Sequence, residues 1–181
     1  MRKLILKMSV SLDGYVAGPG GDMGWLFRTL DDGATNWIVD TISEPGVHLM
    51  GSITYRAMAA HWPTSTEPFA PPMNEIPKVV FSNSMTETRW ADSTIVRGDL
   101  AEGVARLKRE PGKDLLAHGG ARFARSLSKL GLIDEYRLVT HPVILGGGEW
   151  LFPDLDAPAD LRLMSTTPFC GGAVAHVYRR A

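Results

Sequence analysis

Asp114-Leu115-Leu116-Ala117-His118-Gly119-Gly120-Ala121-Arg122-Phe123 is an apolar run that ends in two glycines and opens into a helical pattern. It reads as strand, tight turn and helix start. Adjacent glycines turn a backbone without a Cβ penalty and let a ligand approach the chain closely, while the free N–H groups of the helix that follows attract anions. Dinucleotide phosphates are held in this way, but a Gly-Gly pair between strand and helix serves equally as a plain turn. The flanking chain decides between the two.

After the glycines, Phe123, Leu127 and Leu130 recur at helical spacing, and Gly131 closes the helix. Before them, Asp99 with Glu102 opens a helix carrying Leu100, Val104 and Leu107, which Pro111-Gly112 stops. Further back, Ser93–Val96 and Lys78–Ser82 read as strands, and the proline-rich stretch 62–77 predicts an irregular excursion without helix or central strand. Val47–Met50 is another strand, and Gly51-Ser52-Ile53-Thr54-Tyr55 after it repeats the glycine pattern. Ser52 and Thr54 are placed to cap a helix or to bond phosphate oxygens at its N-terminus. Asp31 and Asp32 open a helix with Ala34, Trp37, Ile38, Thr41 and Ile42 on one face.

The first strand spans 3–10, with Leu4, Leu6, Met8 and Val10 on one side, and Ser11-Leu12-Asp13-Gly14 turns the chain out of it. A glycine-rich loop, 18–24, leads into Trp25-Leu26-Phe27. It reads either as a mobile lid or as a surface connection whose aromatics tuck onto the core. At the other end, 134–145 is a long strand in which Pro142 marks a bulge or an edge, followed by Gly146-Gly147-Gly148. Leu161–Ser165 and Ala173–Tyr178 have no helix between them and should pair as an antiparallel hairpin. Strands alternating with helices predict an α/β fold. Its central sheet is mostly parallel, with about eight strands, helices on both faces, an antiparallel C-terminal edge, and the glycine-pair strand mid-sheet. One domain is expected over 1–181.

With 19 basic and 20 acidic residues the formal net charge is -1 and no block of like charge stands out, which argues against nucleic acid and anionic membrane as partners. Cys170 is the one cysteine, so no intrachain disulfide forms, which fits a cytoplasmic setting. Lys7 breaks the apolar run of the N-terminus, no small-residue cleavage site follows, and no stretch reaches the ~20 apolar residues of a transmembrane helix. His48, His61, His118, His141 and His176 show no metal-ligand spacing, and no metal is expected.

Ligands bind at the carboxyl ends of strands in open parallel sheets, and three such ends carry small or hydroxyl residues: Gly51 to Thr54, Ser82 to Ser84, and Gly119 to Ala121. The three-glycine Rossmann fingerprint is absent, so a different dinucleotide fold is indicated. Together with Ser11-Leu12-Asp13-Gly14 and His141-Pro142-Val143-Ile144-Leu145-Gly146-Gly147-Gly148, these motifs resemble the dihydrofolate reductase-like superfamily. The likeness is to the branch of the reductase domain of the bifunctional riboflavin-biosynthesis deaminase/reductase and its stand-alone relatives, and it runs from Lys3 to Tyr178. It implies a three-layer dihydrofolate reductase-like sandwich, and an NADPH-dependent reductase of a pteridine-like or pyrimidine-like heterocycle working as a homodimer. The alternative is a dinucleotide- or pterin-binding protein without turnover.

By the same resemblance, Gly51, Ser52 and Thr54 match a phosphate-binding helix start. Ser82 and Asn83 match the strand end near the adenosine 2′-phosphate; Arg89 and Arg97 are additional candidates to meet that phosphate, the alternative being solvated surface charge. Gly119, Gly120, Ala121, Arg122 and Phe123 match a pyrophosphate turn, where the family often has a cis Gly-Gly bond. On the substrate side, Asp13 is the acid at the first strand end, placed either to bond or protonate a heterocycle or simply to make the Asp-Gly turn. Tyr15, Trp25, Phe27, Met50, Tyr55, Met58 and Trp62 are candidates to wall the ring site, and His118 is a further candidate proton donor. Counting back from Gly51, the position of the folate-binding carboxylate falls on Thr35 or Asn36, neither of them acidic, which argues against folate. The first strand end and the lid offer only Arg28 to a ribose phosphate.

Overall fold

The computed structural model describes residues 1–152, 155 and 157–181. Eight strands form one sheet: β1 (Leu4–Ser11), β3 (Val47–Gly51), β4 (Lys78–Phe81), β5 (Ser93–Val96), β6 (Leu115–His118), β7 (Glu135–His141), β9 (Leu161–Pro168) and β10 (Val174–Arg180). Their order is β5-β4-β3-β6-β1-β7-β10-β9. From β5 to β7 every pairing is parallel, and β10 and β9 add the expected antiparallel edge. All four residues of β6 are buried, as a strand covered on both faces requires. The glycine pair thus leaves the middle of the sheet.

Strand alternation divides the interior in two. Leu4, Leu6, Met8 and Val10 pack with Val104 and Leu107 of α4 (Leu100–Arg109) and with Phe123 and Leu127 of α5 (Ala121–Lys129). The other face packs Ile5, Met50, Val80, Leu116 and Val139 on Ile38 and Ile42 of α1 (Asp32–Ser43) and on Tyr55 of α2 (Ser52–His61). Asp31 caps α1 by accepting from the Ala34 N–H at 2.7 Å, and its second oxygen accepts from Gly171 N–H at 2.6 Å in the β9–β10 turn. The cap therefore also ties the helix start to the far edge.

Two expectations are corrected. The stretch 62–77 is not free of helix: Ala70–Glu75 forms α3, with Pro71 and Pro72 in its first turn, where the missing N–H groups have no partner to lose. Its Met73 is buried. The long strand stops at His141, because Pro142 has no N–H to continue the ladder, and Val143 N–H bends back to the His141 carbonyl at 2.8 Å. The glycine-rich loop holds a definite course, in 3₁₀ turns at Pro19–Gly21 and Gly24–Thr29, and it is stitched down by a two-stranded sheet of β2 (Tyr15–Ala17) and β8 (Glu149–Trp150).

Of the two bulky residues in that loop, Trp25 is 1% exposed and lies edge-on to His141, whereas Phe27 is 67% exposed. The tucked reading holds for the first and not for the second. Trp25→Ala is expected to cost about 3–5 kcal/mol of stability, and Phe27→Ala less than about 0.5 kcal/mol, in urea titrations followed by circular dichroism.

Candidate active site at the carboxyl ends of the central strands

Gly119 and Gly120 stand where three elements meet. A Cβ on Gly119 would collide with Met8 Sδ of β1, and a Cβ on Gly120, at φ +100°, would collide with Thr54 Oγ1 of α2. Thr54 donates its hydroxyl to the Gly119 carbonyl at 2.9 Å. No peptide bond among the described residues is cis, so the turn is made by the positive φ of Gly120 instead. The capping reading of Ser52 and Thr54 is not realised: neither α2 nor α5 has a side-chain cap, and Gly51 and Gly120 stand at their N-cap positions.

Both uncapped helix starts open on one cavity of about 370 Å³, lined by Gly51 to Thr54, Gly120 to Phe123, Phe81, Ser126 and Glu149. A second cavity of about 220 Å³ shares Phe81 and Phe123 with it and reaches Ser82, Asn83, Gly98 and Leu100. Unsatisfied N–H groups and two positive dipole ends at a shared hollow favour an anion there, and an apolar wall of two phenyl rings 5.6 Å apart continues it. Nine of the ten residues expected around the phosphates and adenosine line these two adjoining cavities, and the tenth, Gly119, stands beside them with its carbonyl held by Thr54. Ser82 and Asn83 also shape it: the Ser82 hydroxyl accepts from Met85 N–H at 3.1 Å and the Asn83 side chain from Gly98 N–H at 2.7 Å.

Asp13 has a structural task. Its carboxylate accepts from the Ser11 hydroxyl at 2.6 Å and from the Leu145 and Gly146 N–H groups at 3.1 and 2.8 Å. The Ser11 hydroxyl, then the two loop amides, hold its pKa below the ordinary carboxylate value against some desolvation. A carboxylate so held is a latch between the first turn and the 143–148 loop, and a poor proton source.

The proposed ring walls are dispersed rather than gathered. Met50 is wholly buried, and Tyr55 is buried with its hydroxyl accepting from Arg89 and Trp90 N–H groups at 3.1 and 2.9 Å. Met58 and Trp62 pack into the same layer, because positions 55, 58 and 62 share the core-facing side of α2 and its continuation. Tyr15 stacks on Trp150 across β2 and β8 with ring centroids 5.4 Å apart.

The sequence reading named His118 but missed its basic neighbours in the same row on the α1 side of the sheet. Lys7 interrupts the core-facing register of β1, opposite His118 of β6 and Arg137 of β7. Desolvation pushes its ammonium down to about 8 although part of the side chain remains accessible. His118, His141 and His48 are buried, and each has one ring nitrogen without a partner: Nε2, Nε2 and Nδ1. Burial and then Lys7 lower His141 to about 4, and its Nδ1 lies 2.7 Å from Thr29 Oγ1. The signal was in the sequence: Lys7 is a charge inside a strand whose neighbours are apolar.

An α/β sandwich of this topology has the dihydrofolate reductase-like fold. The model of the RibD C-terminal domain matches residues 2–175, and the chain belongs to that family. It is 32% identical to the uncharacterized protein YyaP of Bacillus subtilis (strain 168), over 98% of this chain and 94% of that one. A putative riboflavin biosynthesis protein from Shewanella sp. PV-4 superposes with TM-score 0.80 at 25% identity, over 99% of both chains. A Thermotoga maritima diaminohydroxyphosphoribosylaminopyrimidine deaminase/5-amino-6-(5-phosphoribosylamino)uracil reductase superposes at 0.72 and 16% identity, over 99% of this chain and 57% of its own. For fold alone, dihydrofolate reductase from Enterococcus faecalis, complexed with NADP(H), gives 0.67 at 13% identity, over 98% and 96%.

Asp13→Asn is expected to loosen the latch: amides 145 and 146 should exchange hydrogen faster while those of β1 stay protected. Because the folded pKa of Asp13 is depressed, the wild-type latch is intact above the ordinary carboxylate pKa. It is released only as pH falls through the lower folded value, which the same exchange measurement taken across acid pH checks.

Proposed function

We propose that this chain is an NADPH-dependent oxidoreductase, in the cytoplasm, of a pteridine-like or pyrimidine-like heterocycle of the riboflavin-precursor type. The observation that carries the proposal is the convergence of two uncapped helix starts on one groove, across a glycine pair whose Cβ positions are already filled by protein atoms. The groove suits a dinucleotide: the α2 and α5 N–H groups and Arg122 for the pyrophosphate, Phe81 and Phe123 for an apolar ring, and Ser82, Asn83 and the neighbouring Arg97 for a 2′-phosphate. When bound, the nicotinamide supplies the hydride.

The chain's own contribution lies on the α1 side. Lys7, poised near neutral pH, holds and delivers a proton to an acceptor atom of the heterocycle, and His118 flanks it. Trp25 and Thr29, fastened to His141, roof the strand ends and keep water out. With Asp13 occupied by three donors and no acid at Thr35 or Asn36, no free carboxylate is placed for a folate-type amidine at these positions. A binding protein without turnover is the second reading, and the near-neutral Lys7 argues against it.

Calorimetric titration with NADPH and with NADH, followed by cofactor oxidation against pterins, folates and ribosylaminopyrimidines, tests this. NADPH should bind more tightly than NADH, and Arg122→Ala should weaken it about tenfold or more, the worth of one charge-assisted hydrogen bond. Lys7→Met should leave NADPH affinity unchanged and lower turnover by about 10²–10⁴-fold. Since the ammonium form of Lys7 exists below about 8, wild-type turnover should fall as pH rises through that value, and the variant should lack this limb. Binding without oxidation across the panel favours the sensor; no binding of either cofactor defeats both readings.

We propose further that the chain pairs as a homodimer through β9, the outermost strand, where Leu161, Leu163 and Met164 are 40%, 52% and 42% exposed and whose outer edge has no strand partner among the described residues. Leu163→Lys should shift the sedimentation coefficient from dimer to monomer; a monomeric wild type removes the assignment.

A further inference from the structure

Among the described residues, Glu149 is the one acidic side chain lining the hollow where α2 and α5 begin. A carboxylate is out of keeping with that place, since two helix starts and Arg122 favour an anionic ligand that it would repel. The fold nonetheless holds it there. Glu149 pairs with Ala17 across the β2–β8 ladder. Just before it, Gly148 at φ +125° lets the chain pass against the Ala17 carbonyl, where a Cβ would collide. Just after it, the Trp150 carbonyl accepts from Arg125 Nε of α5 at 2.9 Å, and Leu151 N–H donates to the Gly14 carbonyl at 3.0 Å. The backbone that carries this exposed side chain is thus fastened to β2, to α5 and to the first turn.

Two simpler tasks are not met. Glu149 caps neither helix, for α2 and α5 both start without a side-chain hydrogen bond. Nor, among the described residues, is it ion-paired: Arg125 is turned to the Trp150 carbonyl, and Arg122 of the same groove pairs with no acid. The helix amides and Arg122 are therefore left for phosphate, and the carboxylate is left for a hydrogen-bond donor.

The donors that a dinucleotide carries next to its pyrophosphate are ribose hydroxyls, and the two oxygens of a carboxylate can accept from both hydroxyls of a diol. With its 2′-phosphate at Ser82 and Asn83, the adenosine ribose lies toward the smaller cavity, and its 2′-oxygen is no donor. Glu149 lines only the larger cavity, and through β2 it adjoins the roof over the central strands. We propose that Glu149 is a specificity-determining residue that accepts from the 2′- and 3′-hydroxyls of the nicotinamide ribose. The groove then reads the second half of the dinucleotide as well as its phosphates. This assignment rests on the reductase reading.

Calorimetry on the full chain with three ligands tests it: NADPH; 2′-phosphoadenosine 5′-diphosphoribose, which keeps the second ribose without the nicotinamide; and adenosine 2′,5′-bisphosphate, which lacks both. Glu149→Ala should weaken the first two by about tenfold or more, the worth of a hydrogen bond to a charged group, and should not weaken the third. Retained binding of the third shows that the variant is folded. Glu149→Gln, which keeps an acceptor and drops the charge, should fall between wild type and Glu149→Ala. NADPH affinity unchanged by Glu149→Ala, the behaviour of a solvated surface charge, overturns the proposal. So does an equal loss with all three ligands, and so does a loss with NADPH alone, which would put the carboxylate on the nicotinamide amide. A wild type that binds none of the three defeats the reductase reading and this assignment with it, whereas binding of all three without the Glu149 pattern defeats this assignment alone.

Discussion

Met8 Sδ and Thr54 Oγ1 occupy the two places where side chains at 119 and 120 would begin. That single steric constraint draws β1, α2 and the β6–α5 turn into contact through a stretch of bare backbone. Once they are in contact, the two helices must start side by side. Their first-turn N–H groups, with no side chain to cap them, then face the same hollow. The glycines are thus required by the packing of the protein itself, and the anion site follows from that packing. A turn reading and a binding reading of the pair are two consequences of one geometry.

The polar groups buried on the α1 side separate into two kinds. Lys78 is wholly buried, but its ammonium donates to the Asn74 and Ala91 carbonyls and lies 4.6 Å from the Trp90 ring centroid. Glu135 is 2% exposed and accepts from both Arg137 and Arg179 at 2.7 and 2.8 Å. Desolvation raises its pKa, and the two guanidiniums more than offset this, leaving it lowered. Both are satisfied by protein alone, and they sit away from the carboxyl ends of β1 and β6. Lys7, His118 and His141 lie toward the carboxyl ends, are depressed chiefly by desolvation, and include two orphaned nitrogens. Burying a polar group without a partner costs about 1–3 kcal/mol, and a ligand that completed these two nitrogens would recover that cost.

Topology was legible because each strand and helix had its own period and punctuation: the eight strands and the antiparallel edge follow from alternation, Pro-Gly stops and Asp caps. The cofactor groove was legible for a related reason, since its residues are local to three strand ends. The ring site was not. Aromatic identity does not say which side of an element a residue takes, and Tyr55, Met58 and Trp62 fall on the buried side of α2. Conversely, Lys7 and His118 come together only through the β1–β6 pairing, a contact between positions 111 residues apart that no local pattern records. Proline composition misled in the same way: Pro71 and Pro72 exclude a helix interior but suit a first turn.

The roof over the strand ends decides what kind of selectivity such a site can have. A glycine-rich loop that closed only on ligand would spend binding energy on its own ordering. Here that ordering is already supplied by Trp25 against His141, Thr29 at His141 Nδ1, Asp31 on both α1 and the β9–β10 turn, and the β2–β8 ladder beside the Asp13 latch. The surface proposed to meet the ring is therefore held by these contacts without a ligand. Its discrimination then depends on the fixed placement of a few donors and acceptors, and a preorganised set of these rejects a mismatched edge by leaving its own buried groups unpaired.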